Sequence, residues 1–174
     1  MLPIIKYFMD ICLFRANAED APSSQIFMMF TVMVYAMLSV FIVMVDYSPG
    51  KAISTVLVGI AMMIGFAKAG LWIRNFMNRS RQTITALAGT GIIFNLINLP
   101  LVLLSSHFPA EELVFPRFLL LLILFWNITV IGHIMKNVLS IPFWAGIGIS
   151  VFYALTYLRV VRVILSTGVT TTVS

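Results

Sequence analysis

Arg74-Asn-Phe-Met-Asn-Arg79-Ser-Arg81-Gln-Thr83 is the densest cluster of positive charge in the chain, and it opens into an apolar run carrying Gly89, Gly91, Asn95, Asn98 and Pro100. Such arginines belong in water or among lipid headgroups, and basic loops favour the cytoplasmic side of a membrane. The cluster therefore separates one span from the next and fixes the direction of both.

Composition requires spans. A chain of 174 residues that is 61% hydrophobic and 10% charged, with mean hydropathy +1.06, has too few polar side chains to cover a soluble globule. The net charge of +5 does not point to nucleic acid, because the basic residues flank apolar segments as membrane anchors do. Cys12 is the only cysteine, which excludes an intrachain disulfide and a cysteine-based metal cluster.

Outward from the arginine cluster, five segments reach the roughly 20 apolar residues needed to cross about 30 Å of hydrocarbon. They are residues 24–45, 52–73, 83–104, 113–135 and 143–165. Asp46-Tyr-Ser-Pro-Gly-Lys51 reads as a tight turn in which Pro and Gly stop one helix and reverse the chain. Residues 105–117, with His107, Pro109, Glu111, Glu112 and Pro116, form the longest connection; residues 136–142 link the last two spans. The expected fold is all-α, a polytopic membrane bundle of five transmembrane helices over residues 24–165. An amphipathic segment (1–23) precedes it and a polar tail (166–174) follows. Within the first of these, Lys6, Tyr7 and Asp10 share a narrow helical face, so the segment reads as a helix lying in the interface with its polar stripe toward water.

Lys6, Arg15, Arg74, Arg79, Arg81 and Lys136 fall on one side of this arrangement. Their weight favours a cytoplasmic N-terminus and an external C-terminus in a bacterial-type inner membrane, although Arg159 and Arg162 count the other way. No short loop carries a binding or catalytic domain, so function must reside in the bundle or its rims.

The candidate site is polar and intramembrane: Lys68, Asn95, Asn98 and Asn127. An amide in lipid must find a partner, and the ordinary reading of the asparagines is glue between helices, with a substrate site as the alternative. Lys68 shares a face with Ala61, Gly65 and Trp72. It either snorkels to the headgroups near Arg74 or lines a cavity. Arg74, Arg79, Arg81, Arg159 and Arg162 are candidate contacts for lipid headgroups. His133 and His107 belong to opposite surfaces, which disfavours a metal site. No in-span carboxylate, phosphate loop or nucleophile-base-acid set appears, so no catalytic residue and no cofactor are assigned. Ala61-x-x-x-Gly65-x-x-x-Ala69 and Gly146-x-x-x-Ser150-x-x-x-Ala154 permit close helix packing, internal or between copies.

The order of elements resembles the prokaryotic branch of the Yip family, the Ypt/Rab-interacting membrane proteins. The likeness rests on the amphipathic N-terminal stretch, the short loops, Arg81-Gln82-Thr83 ahead of span three, Gly89-Thr-Gly91 to Leu99-Pro100 within it, and Phe125-Trp126-Asn127 to Gly132-His133 in span four. The chain lacks the Asp-Leu-x-Gly-Pro signature of the eukaryotic members, so a GTPase partner is not carried over. The resemblance implies a five-span fold used for scaffolding, membrane shaping or complex assembly. Two functions are expected from different classes: a non-enzymatic scaffold or accessory subunit, and a small transporter or lipid-handling protein built around the polar cavity. The expected partners are membrane lipids and other membrane proteins or further copies of the chain.

Overall fold

The computed structural model describes residues 2–105 and 114–166. His107, Glu111, Glu112 and the polar tail from Thr167 lie outside the described residues. All regular structure among those described is helical: α1 (Leu2–Cys12), α2 (Gln25–Met44), α3 (Pro49–Ile73), α4 (Ser80–Ser105), α5 (Val114–Leu139) and α6 (Phe143–Ser166), with 3-10 turns at Ala18–Asp20 and Met77–Arg79. Five of the helices are long and apolar enough to cross a membrane, α2 to α6, with α4 continuous with the turn before it.

Three boundaries move by three or more residues from their expected places, and α4, which begins at Ser80 and not Thr83, is one of them. α3 begins at Pro49 and not Ala52, because Pro and Gly start the helix and do not make the turn. Ser48 is the N-cap and Pro49 takes the first position, where its fixed φ fits and its missing N–H costs nothing. α5 runs a full turn past Met135, because Arg74 satisfies its end: Nε donates to the Leu139 carbonyl at 3.1 Å and Nη2 to that of Ser140 at 3.5 Å. Asn75 and Ser140, at φ 58° and 51°, break the helices just before them by entering the left-handed region. Residues with short polar side chains tolerate this conformation best.

Short connections make consecutive helices antiparallel and give the bundle two rims. One carries residues 17–24, 74–79 and 140–142, the other residues 45–48 and the ends of α4, α5 and α6 near Ser105, Val114 and Ser166. Packing closes a ring in the order α2, α3, α6, α5, α4, with α4 also touching α3. Glycines set the closest approaches. A Cβ on Gly146 of α6 would collide with the Gly132 carbonyl of α5, and one on Gly91 of α4 would stand 2.6 Å from the Tyr35 ring of α2. Without a side chain in the way, backbones in lipid gain dispersion contacts that apolar bulk alone cannot supply. The expected Gly146 motif is therefore an internal contact. The Ala61, Gly65 and Ala69 face of α3 is exposed, and a Cβ on Gly65 would meet nothing within 4 Å.

The first half of α4 is enclosed on every side: Thr83 to Thr90 are all buried. Its hydroxyls are satisfied locally, Thr83, Thr85 and Thr90 donating to the carbonyls of Arg79, Arg81 and Ala86 at 2.8–2.9 Å. That removes the need for water in a water-free interior. Part of the enclosure is α1. Its Phe8, Ile11 and Cys12 are buried, with the Phe8 ring seated over Gly89, where a Cβ would overlap it. Trp126 Nε1 donates to the Cys12 carbonyl at 3.0 Å. Gly89 lies nine residues into α4, about 14 Å from its start at 1.5 Å per residue. The amphipathic N-terminal helix thus packs one face on α4 and α5 and leaves Ile5, Met9 and the following Leu13 exposed on the other.

Candidate functional site

Beyond Thr90 the helices part, and α2 to α6 surround a hollow of about 390 Å³. α4 contributes Gly91, Phe94, Asn95, Asn98 and Val102, and α5 contributes Leu120, Leu124 and Asn127 among others. Tyr153, Ala154, Tyr157 and Leu158 come from α6, and Tyr35 from α2. A smaller hollow of about 170 Å³ adjoins it, sharing Tyr35, Ile42, Asn95 and Tyr157 and adding Ser39 and Gly59. Among the described residues no charged side chain lines either one.

The spacing that puts Asn95 and Asn98 on one face of α4 with Gly91 delivers both to the hollow, and the rotation of α5 brings Asn127 to the same space. Their situations differ. Asn95 Nδ2 donates to Ser39 Oγ at 2.8 Å and ties α4 to α2, which is the glue reading in full. Asn98 Oδ1 is buried without a hydrogen-bond partner among the described residues. A stranded buried acceptor costs about 1–3 kcal/mol, so this atom is the one most ready for a ligand's donor.

Tyrosines missed in the sequence complete the polar wall. The Tyr157 ring lies on Gly59, 3.1 Å from where its Cβ would be. It stacks with Tyr153 at 6.2 Å between centroids, and Tyr153 meets Phe66 at 4.8 Å. The signal available was Tyr153 and Tyr157 at i, i+4 in an apolar span, with Tyr35 and Ser39 repeating that spacing in α2. Each pair lies on one helical face.

Toward the 74–79 rim the hollow continues past Phe94 to Thr90, Leu87 and Ile131. Phe94 meets Trp126 edge to face at 5.1 Å, and Trp126 is the residue that binds α1 through Cys12. Below it, His133 Nε2 lies 3.4 Å from the Ala16 carbonyl, and Asn137 Nδ2 donates to Asn17 Oδ1 at 3.0 Å. The chain after α1 is thereby strapped along α5 as far as the rim. There Arg79 pairs with Glu19 at 2.5 Å and lies over the Phe76 ring at 5.0 Å. Tyr7 donates to the Asn17 carbonyl at 2.7 Å and closes the strap; burial, and then the Asp20 charge, raise the pKa of its phenol.

Lys68 does not join the asparagines. It is exposed together with Ala61, Gly65 and Trp72 and lines neither hollow, so its charge reaches along the outside of α3. This placement is compatible with snorkelling, the rim at Arg74 being only about one and a half turns away. Of the five candidate headgroup contacts, Arg74 and Arg79 are occupied within the protein, by the end of α5 and by Glu19. Arg81, Arg159 and Arg162 are exposed and remain placed for headgroups.

The assembled site can hydrogen-bond and orient an uncharged group inside the bundle. Among the described residues it contains no carboxylate, ammonium, guanidinium or imidazole to carry a proton or neutralise a charge. Comparison with protein families, with curated proteins and with solved structures finds no match for this chain.

Proposed function

We propose that the chain is a multi-pass inner-membrane protein that takes up a ligand in the hollow among α2 to α6, a lipid-handling or small-transporter role. The observation that carries this reading is the convergence of Asn98, Asn127 and Tyr157 on one open space, with Asn98 Oδ1 unpartnered. Polar groups at membrane depth are costly unless they serve packing or a bound molecule. Asn95 serves packing; Asn98 does not. The hollow also has the size of small-molecule sites, which run from about 300 to 1,000 Å³.

The test is native mass spectrometry of the protein extracted from membranes, beside an Ala154→Phe variant whose ring would occupy the hollow. The wild type should retain a non-peptide mass that the variant loses. Retention by both, or by neither even after membrane lipids are added back, refutes the reading.

A second reading, the Yip-like scaffold or accessory subunit, is favoured by the open Ala61, Gly65 and Ala69 face of α3, which suits a partner helix. It predicts a stoichiometric protein partner that Gly65→Leu releases and Ala154→Phe does not. Under either reading the arginine cluster supports a cytoplasmic N-terminus and an external C-terminus. Reporter fusions at Ser80 and after Ser174 should fall on opposite sides of the membrane.

A further inference from the structure

Among the described residues lining the larger hollow only Leu124 and Leu158 are exposed, at 39% and 50%. They stand on α5 and α6, the pair that is tightest at Gly132 and Gly146 near the opposite rim. Leu124 and Leu158 stand about two to three turns from that crossing, and their exposure marks the edge of the hollow that reaches the surface, where both sides are leucine. In a bilayer this edge faces acyl chains. An occupant arriving there comes from the lipid and can leave an apolar tail in it.

The interior sets the other end of the occupant. Among the described residues no acidic or basic side chain lines the hollow, and an ion brought to this depth would lack a counter-charge from them, a cost of several kcal/mol that neutral groups avoid. Asn98 Oδ1 accepts and has nothing to accept from. A head that only accepts hydrogen bonds, such as an ether or a ketone, leaves that atom stranded, whereas a hydroxyl satisfies it and can accept in turn from Asn127 or a tyrosine.

We infer that the hollow binds an uncharged, hydroxyl-headed amphiphile that enters sideways between α5 and α6, its hydroxyl donating to Asn98 and its tail passing between Leu124 and Leu158. This rests on the ligand-binding reading above and adds the chemical class and the route.

The experiment uses the full chain in phosphatidylcholine nanodiscs with three photoactivatable probes of equal chain length: a primary alcohol, its methyl ether and the matching carboxylic acid, at neutral pH. Cross-linked peptides are mapped by mass spectrometry. The alcohol should label residues of α4 to α6 around the hollow several-fold more than the ether or the acid. Asn98→Leu should lower that labelling roughly five- to tenfold, the loss of one buried hydrogen bond. Leu124→Trp changes a side chain at the surface edge of the hollow and leaves Asn98 intact, so it is independent of any folding defect in the first variant; by narrowing the edge, it should lower labelling as well. Equal labelling by the acid overturns the uncharged head, and equal labelling by the ether overturns the donor, in both cases leaving ligand binding standing. Labelling by the alcohol that neither variant alters overturns the site and the route. Labelling of the hollow by none of the probes, as for a space filled by water alone, refutes this inference and the reading beneath it together.

Discussion

Replacing Gly89 with alanine adds one methyl group at the place where α1 meets α4, and its effect can be read at Cys12. The new Cβ would overlap the Phe8 ring, a rigid group hemmed in by the helix it belongs to. Overpacking of this kind typically costs about 1–3 kcal/mol. Little opposes release of α1, since its apolar face can exchange protein for lipid with almost no transfer penalty. The hydrogen bond from Trp126 to the Cys12 carbonyl contributes about 1 kcal/mol. A strain of about 2 kcal/mol should therefore raise the undocked population roughly thirtyfold, at tenfold per 1.4 kcal/mol. Cys12 reports this without background, being the only cysteine. Docked, it is buried and burial pushes its thiol up to about 12, so it is protonated and inert, since only the thiolate attacks. Undocked, it returns to the ordinary value near 8.5. The sign of the pH effect follows. A thiol whose docked pKa is raised favours docking fully below about pH 8.5, and that contribution fades as pH climbs from there toward about 12. Maleimide labelling in nanodiscs should be slow in the wild type, roughly thirtyfold faster in Gly89→Ala, and unchanged in Gly65→Ala, where a Cβ meets open space. A Gly89→Ala rate within twofold of wild type would show that Phe8 does not pack on α4 as described.

Three further outcomes are expected. Thr55 is 2% exposed and its hydroxyl has no hydrogen-bond partner, so Thr55→Val should raise thermal stability in detergent, by about 1 kcal/mol or more; a clear loss would point to a partner for Oγ1. Asn95→Leu and Ser39→Ala should each lower stability, and a double-mutant cycle should return a coupling of about 0.6–2 kcal/mol, with simple additivity as the contrary result. Lys68→Arg should be nearly silent in stability and in probe labelling, and Lys68→Leu should leave labelling of the hollow unaltered; a defect in both would return Lys68 to the site.

The spans were legible because their signal is additive. Twenty apolar residues bounded by Arg74 to Arg81 or by Asp46 to Lys51 can hardly be anything else, and each helix falls within a few residues of its expected place. Depth along a span was legible too, which is why Asn95, Asn98 and Asn127 were grouped. Rotation about the axis was not. A span that is apolar all round carries no moment to say which face looks inward, and small residues mark close packing equally well against a neighbour or a missing partner. Lys68 is therefore ambiguous in the sequence beside Ala61 and Gly65, which the structure places on the outside, while nothing in the sequence says that the faces of Tyr35, Tyr153 and Tyr157 look inward. α1 escaped for a related reason. Its amphipathic pattern fits the membrane interface as well as it fits a docking groove, and the deciding residue, Gly89, sits far away in sequence as one glycine among ten.

The two halves of α4 explain why docking of α1 and occupancy of the hollow belong to one mechanical problem. Toward the 74–79 rim α4 is sheathed by its neighbours and α1; beyond Gly91 the sheath opens into the hollow. Phe94 lines the hollow and packs edge to face on Trp126, which is bonded to the Cys12 carbonyl of α1. A protein that only binds a lipid-borne ligand can keep these contacts throughout. If ligand passing toward the 74–79 rim displaces Phe94 and Trp126, the Trp126 to Cys12 contact breaks with them. The same labelling of Cys12 therefore separates the roles. Added hydroxyl-headed amphiphile should leave the wild-type rate unchanged or lower if the hollow is a blind site, and should raise it if the ligand travels through.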